Sequence, residues 1–261
     1  MHYYLVDAFA ERAFAGNPAA VVILTDPVPD DVMQGLALET NLSATAFVRK
    51  QGNVYTLRWF SSTTELDLCG HATLASAHVL WEEGVLSQNQ TVTFDTKSGI
   101  LTARKRDDHI EMDFPLETPW ATEYPKEMRD ALNVDPVYIG RNRFDYLVEV
   151  KSEDIVKNTV PDLDVCRKID CRGIIITSRT QNGSHDFISR FFAPRSGIPE
   201  DPVTGSAHCA LGPYWSQKIG KPELIGYQAS RRGGIVKVFV TDDKAILGGK
   251  ALTVARGKFL I

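Results

Sequence analysis

Apolar residues in this chain come in short bursts, and most bursts carry the period of a strand. Segments 3–9, 19–24, 46–49, 54–60, 91–94, 99–104 and 110–114 are rich in branched and aromatic residues and stop near Gly, Pro, Asn or Asp, which is the signature of β-strands. Two segments keep a helical period instead. Residues 30–39 place Val32, Met33, Leu36 and Ala37 on one face behind an aspartate cap, and 72–83 place Leu74, Ala75, His78 and Val79 likewise. Beyond the two prolines of 115–120 the mixture returns. Strands are predicted at 137–140, 144–150, 173–177, 186–193, 234–241 and 245–254, and helices at 126–132, 162–169 and 206–219, the last with Ala207, Ala210, Leu211, Tyr214, Trp215 and Ile219 on one face. Strands this closely spaced leave little room for repeated βαβ units, so the pattern predicts an α+β fold with largely antiparallel sheets. No Gly-x-Gly-x-x-Gly or phosphate loop argues otherwise.

Composition narrows the function. The 29 basic residues against 33 acidic ones give a net charge of −4, without the basic bias of a nucleic-acid binder. Apolar runs such as 19–24 are far too short to span a bilayer, so neither nucleic acid nor membrane is expected as a partner. The first residues lack the basic and apolar regions of a secretory signal, so a cytoplasmic location is expected. Cys69, Cys166, Cys171 and Cys209 form no Cys-x-x-Cys pair and are expected as free thiols. His208 and Cys209 are adjacent, and neighbouring side chains do not converge on one ion without a special turn, so no metal is expected.

At roughly 150 residues per domain, 261 residues fit neither one domain nor two comfortably. An internal echo resolves the mismatch. Arg58-Trp59-Phe60-Ser61 leads through an acidic turn to Gly70-His71-Ala72, and Arg190-Phe191-Phe192-Ala193 leads through another to Gly205-Ser206-Ala207. Both copies read as arginine, two aromatics, a small residue, an acidic turn, then Gly-x-Ala opening a helix, which points to duplicated halves. A helix N-terminus carries unpaired N–H groups and about half a positive charge, so each copy offers a place to hold a carboxylate and to stabilise charge as a proton leaves the neighbouring carbon. Beside these helix starts stand groups able to carry a proton or a hydrogen bond: Cys69 and His71 in one turn, Asp201 and Ser206 in the other. Arg58 and Arg190 are expected to brace the interface between the halves, and His78 to be packed rather than catalytic.

Four segments together resemble the PhzF-like family of phenazine-biosynthesis isomerases: Asp7-Ala8-Phe9 with Phe14-x-Gly16-Asn17-Pro18-Ala19-Ala20-Val21; Asn41-Leu42-Ser43 with Thr45-Ala46-Phe47-Val48; Cys69-Gly70-His71-Ala72-Thr73-Leu74-Ala75; and Asp201-Pro202-Val203-Thr204-Gly205-Ser206-Ala207-His208. The resemblance implies two similar lobes of diaminopimelate epimerase-like type, each a mostly antiparallel sheet wrapped around a central helix. On this division residues 1–116 form the N-terminal lobe and 117–249 the C-terminal lobe, with the final strand, about 250–261, returning to the first. It further implies a homodimer, a site between the lobes and a proton moved between carbons of a small carboxylate substrate, with no metal, flavin or pyridoxal cofactor. His71, Asp201 and Cys69 are then the expected catalytic residues, and Asn17, Gly70, Gly205 and Ser206 the expected substrate contacts.

One position departs from the family pattern. The glutamate that serves the family as acid/base is here Ala44, whose methyl group carries no proton, while Glu39 matches a second, structural glutamate. Cys69 occupies the slot of one of the two proton-transferring cysteines of the epimerase relatives, and the other falls near Pro202, which excludes a two-thiol mechanism. A thiol at a helix N-terminus can act as a base. Two expectations follow, an isomerase working through Cys69, His71 and Asp201, or a catalytically silent metabolite-binding protein of the same fold.

Overall fold

Wherever apolar residues alternate in the first part of the chain, the computed structural model, which describes residues 1–181 and 183–261, forms a strand. The order is β1 (His2–Ala8), β2 (Asn17–Leu24), α1 (Asp30–Thr40), β3 (Thr45–Gln51), β4 (Val54–Phe60), β5 (Glu65–Leu66), α2 (Gly70–Glu82), β6 (Val92–Thr96), β7 (Gly99–Arg106) and β8 (His109–Pro115). The order continues with β9 (Trp120–Ala121), α3 (Lys126–Leu132), β10 (Pro136–Arg141), β11 (Asp145–Val150), α4 (Glu153–Asn158), α5 (Leu163–Cys166), β12 (Gly173–Arg179), β13 (Phe187–Phe192), α6 (Gly205–Ile219), β14 (Glu223–Gln228), β15 (Gly234–Val240), β16 (Lys244–Gly249) and β17 (Ala251–Lys258). The chain divides into one unit of residues 1–113 with 248–261 and a second of residues 114–247.

The two units repeat one pairing scheme. In the first, β1–β2 is antiparallel, β2–β3 parallel, β3–β4 antiparallel, β4–β6 parallel and β6–β7 antiparallel. In the second, β10–β11, β11–β12, β12–β13, β13–β14 and β14–β15 run through the same alternation. The parallel pairs occur where a helix carries the crossover: α1 or α2 in the first unit, α4 with α5 or α6 in the second. Strand β17 pairs antiparallel with β1, with a bulge between Leu5 and Val6.

Helix α2 packs against β1, β2, β3 and β17 and is buried on all sides from His71 to Ala77. The heptapeptide period alone shows only one apolar face, because Ala, Thr and Ser on the other faces read as surface residues. They are small enough to let strands approach, and the hydroxyls of Thr73 and Ser76 donate to the Cys69 and Ala72 carbonyls at 2.7 Å. Helix α6 packs on β14 and β15. Its Pro213 has no N–H for the Cys209 carbonyl, and the Glu117 N–H takes that place at 3.0 Å.

Several local expectations are corrected. Segment 245–254 forms two strands broken at Lys250, the cap of α1 is Pro29 with Asp30 in the first turn, and α2 starts two residues early, at Gly70. Helix α4 and strand β14 escaped the periodicity, the first because it spans less than two turns behind its Ser152 cap, the second because glycine and polar residues interrupt it. The four cysteines are free.

The turn from β1 to β2 is held by a buried carboxylate: the Asp7 Oδ2 accepts the Phe14 N–H at 2.7 Å. Gly16, at φ +67°, lies so close to the Ala8 carbonyl that an added Cβ would stand 2.1 Å from its oxygen. Gly16→Ala is expected to destabilise the protein by more than about 1 kcal/mol in urea unfolding, through both strain and contact; an unchanged midpoint would refute this account of the turn.

Candidate active site

Three turns of the first unit meet at the start of α2. The β1–β2 turn brings Asn17 to full burial at the start of β2. The α1–β3 turn, entered through the left-handed Asn41 at φ +51°, carries Ser43 and Ala44. The turn after β5 ends at Cys69, the N-cap of α2, whose backbone is extended (φ −147°, ψ 99°) and whose side chain makes no cap bond. Ser43 Oγ stands 3.1 Å from Asn17 Oδ1, 3.3 Å from the Pro18 carbonyl oxygen and 3.2 Å from His71 Nε2. Cys69 Sγ lies 3.5 Å from His71 Nδ1 and 3.8 Å from Nε2. Cys69, Gly70, His71 and Asn17 are thus gathered around the first turn of one buried helix.

Burial sets the protonation of His71. Desolvation lowers its pKa from 6.5 to about 4, so the imidazole is neutral at physiological pH and keeps one nitrogen lone pair for a proton. Ala44 is fully buried beside Ser43, and its side chain offers nothing that titrates. Burial pushes the thiols of Cys166, Cys171 and Cys209 up to about 11, 12 and 12, so these three remain protonated and unreactive.

The second unit builds a matching turn. Thr204, the N-cap of α6, is also extended (φ −112°, ψ 99°) and also lacks a side-chain cap bond. Its hydroxyl donates to Asp201 Oδ2 at 2.5 Å, and the Asp201 N–H donates to the Phe191 carbonyl at 3.0 Å. Gln228 ties the turn together: its Nε2 donates to the Asp201 carbonyl at 2.7 Å and its Oε1 accepts the Thr204 N–H at 2.9 Å. Gly205 and Ser206 are the first two residues of α6. His208 Nδ1 lies 2.8 Å from the Thr204 carbonyl, an acceptor only, so Nδ1 carries the proton. Among the described residues its Nε2 has no partner, and burial lowers the His208 pKa to about 4.

The echoed arginines each find partners within their own unit. Arg58 forks onto Glu65, with Nε to Oε1 at 2.7 Å and a terminal nitrogen to Oε2 at 3.0 Å, and reaches Asp30 in the first turn of α1. Arg190 forks onto Glu200 at 2.7 and 2.9 Å and reaches the Thr159 carbonyl just past α4 at 2.6 Å. Each arginine pins the acidic turn of its own unit to the crossover helix before it. His78 is half-buried and bonds Thr253 at 3.2 Å, remote in role from the His71 cluster. Sequence reasoning missed Ser43, Thr204 and Gln228. Ser43 and Thr204 stood within quoted motifs, whereas Gln228 lies in a strand without a strand pattern.

The phenazine biosynthesis-like protein family, PhzC–PhzF, matches residues 6–257. This chain belongs to that family. An uncharacterized isomerase from Halalkalibacterium halodurans is 53% identical to this PhzC–PhzF protein over 99% of the chain and 98% of its own length. The crystal structure of a PhzF family protein from Enterococcus faecalis matches with a TM-score of 0.96 and 41% identity, covering 100% of this chain and 99% of that one. At the level of fold alone, a hydroxyproline epimerase from Agrobacterium vitis matches with a TM-score of 0.60 and 14% identity, covering 98% and 91%. The PhzC–PhzF chain therefore has the α+β, diaminopimelate epimerase-like fold. Among its described residues no helix is long and apolar enough to cross a membrane.

Two outcomes are expected from this geometry. Gln228→Leu strips partners from the buried Asp201 carbonyl and Thr204 N–H, and should lower stability by about 2 to 4 kcal/mol in urea unfolding; a change below about 1 kcal/mol would show that the turn holds without it. The second concerns pH. His71 and His208 have folded pKa values below the unfolded value, so the unfolded chain binds protons first as pH falls from 6.5 towards 4, and stability is lost across that window. The loss should reach about 2 kcal/mol per histidine by pH 5, and His208→Gln should make the slope of stability against pH between 7 and 5 shallower. An unaltered slope would contradict burial as the cause.

Proposed function

We propose that this protein is an isomerase that moves a proton between carbons of a small carboxylate substrate, with Cys69 and His71 as the proton-transferring pair. The observation that carries the proposal is the 3.5 Å approach of Cys69 Sγ to Nδ1 of a neutral His71 at the N-cap of a buried helix. As the substrate's C–H bond breaks, its proton passes to Cys69 Sγ while the thiol proton passes to His71 Nδ1. The electron pair left on carbon delocalises into the carboxylate, next to the N–H groups and positive end of the helix. Return of the proton to a different carbon reverses both transfers and restores the thiol and imidazole, so charge and electrons balance without a redox partner. Asp201 is proposed as a further proton-handling residue, and Asn17, Gly70, Gly205 and Ser206 as substrate contacts. A homodimer belongs to the same proposal.

A second function has an observation of its own. Ala44 is buried and fills the place of the family's acid/base glutamate with a methyl group, which favours a binding protein that turns nothing over. Mass spectrometry of small carboxylates incubated with the protein in deuterated water separates the two. The isomerase predicts carbon-bound deuterium with the protein as it stands, reduced about 10²- to 10⁴-fold in Cys69→Ala and His71→Gln. Deuterium with Ala44→Glu but none with Ala44 would establish the silent protein.

A further inference from the structure

We propose that Ser43 is a positioning residue that holds the His71 imidazole in the tautomer with its proton on Nε2, leaving Nδ1 as the nitrogen able to accept a proton. Proton counting leads there. A serine hydroxyl has one hydrogen to donate and two lone pairs with which to accept. Ser43 Oγ has three polar neighbours, and two of them, the Pro18 carbonyl at 3.3 Å and the Asn17 side-chain carbonyl at 3.1 Å, can only accept. The single hydrogen is drawn to that side, so the oxygen presents lone pairs to His71 Nε2 at 3.2 Å. Nε2 must then bring the hydrogen. A neutral imidazole carries one ring proton, so Nδ1 is bare, and Cys69 Sγ lies against the ring, 3.5 Å from Nδ1 and 3.8 Å from Nε2. In the opposite tautomer, Nε2 would compete with two carbonyl oxygens for one serine hydrogen.

The local fold fixes Ser43 for this task. Thr40 donates to the Ala37 carbonyl at 3.0 Å, which commits its hydrogen, so across the turn the Thr45 hydroxyl donates to Thr40 at 2.7 Å. Ser43 sits inside that clamp, and the left-handed Asn41 turns the chain into it. The inference builds on the proton transfer proposed for Cys69 and His71, because a bare Nδ1 is what lets the imidazole draw the thiol proton. It concerns the ring itself, so its test needs no substrate.

The experiment is a two-bond ¹H–¹⁵N correlation spectrum of the full chain labelled with ¹⁵N-histidine at pH 7, with the His71 signals identified by their loss in His71→Gln. The expected result is a pyrrole-type shift on Nε2 and a pyridine-type shift on Nδ1. Ser43→Ala should move both shifts towards intermediate values as the tautomers mix, and Ser43→Thr, which keeps the hydroxyl, should return them. A proton on Nδ1 in the unaltered protein overturns the proposal, as does a Ser43→Ala spectrum that keeps the original pattern. If Ser43→Ala loses its dispersed spectrum and does not fold, the unaltered protein and Ser43→Thr decide the matter between them. The stated tautomer without any deuterium exchange would keep Ser43 as a positioning residue and remove the catalytic role of the pair, whereas exchange with the opposite tautomer would do the reverse.

Discussion

A helix enclosed by its own sheet has no water to satisfy its polar atoms, and this constraint shapes both units. Helix α2 admits Thr73 and Ser76 only because their hydroxyls turn back onto carbonyls one turn earlier. The equivalent of Thr73 in α6 is His208, and it does the same with Nδ1 towards the Thr204 carbonyl. Where Pro213 withdraws a donor, Glu117 supplies one. The sealed body of α2 leaves its reactive side chains, Cys69 and His71, at its first turn.

The second organising feature is repetition. Two units run through the same alternation of antiparallel and parallel pairs, and in each an arginine on the strand before the central helix forks onto a glutamate in the turn that follows. The forks set the path of the chain into an extended N-cap, Cys69 in one unit and Thr204 in the other. From there the two copies diverge in chemistry. One gathers a thiol, an imidazole and a serine; the other locks an aspartate between threonine and glutamine. A duplicated scaffold has kept its geometry and exchanged its reactive groups.

Much of this was legible in the residues. Branched and aromatic runs located most strands, and the paired Arg-aromatic-aromatic segments revealed the repeat before any coordinates. The segment around Cys69 and His71 stood out because reactive side chains opened a helix. What escaped did so for physical reasons. Ser43 and Gln228 matter through hydrogen bonds between segments distant in sequence, for which periodicity has no signal. The burial of α2 on every face was hidden because alanine, serine and threonine look alike whether they meet water or another strand. The acid partners of Arg58 and Arg190 were not legible because they lie 7 to 28 residues away, and a sequence does not say which acid a guanidinium will choose.

The pairing of β17 with β1 has a bearing on how the protein is made. Residues 248–261 complete the first unit but leave the ribosome only after all of the second unit has been synthesised. The second unit is a continuous stretch and can close during translation, while the first must wait with one long flank of β1 unpaired. For that interval β1 presents free backbone donors and acceptors, the feature that invites strangers to pair. The strand that ends the wait brings its own irregularity: Val254 of β17 stands as an extra residue opposite the Leu5–Val6 step, a bulge that belongs to the arriving strand and sets its register on this edge.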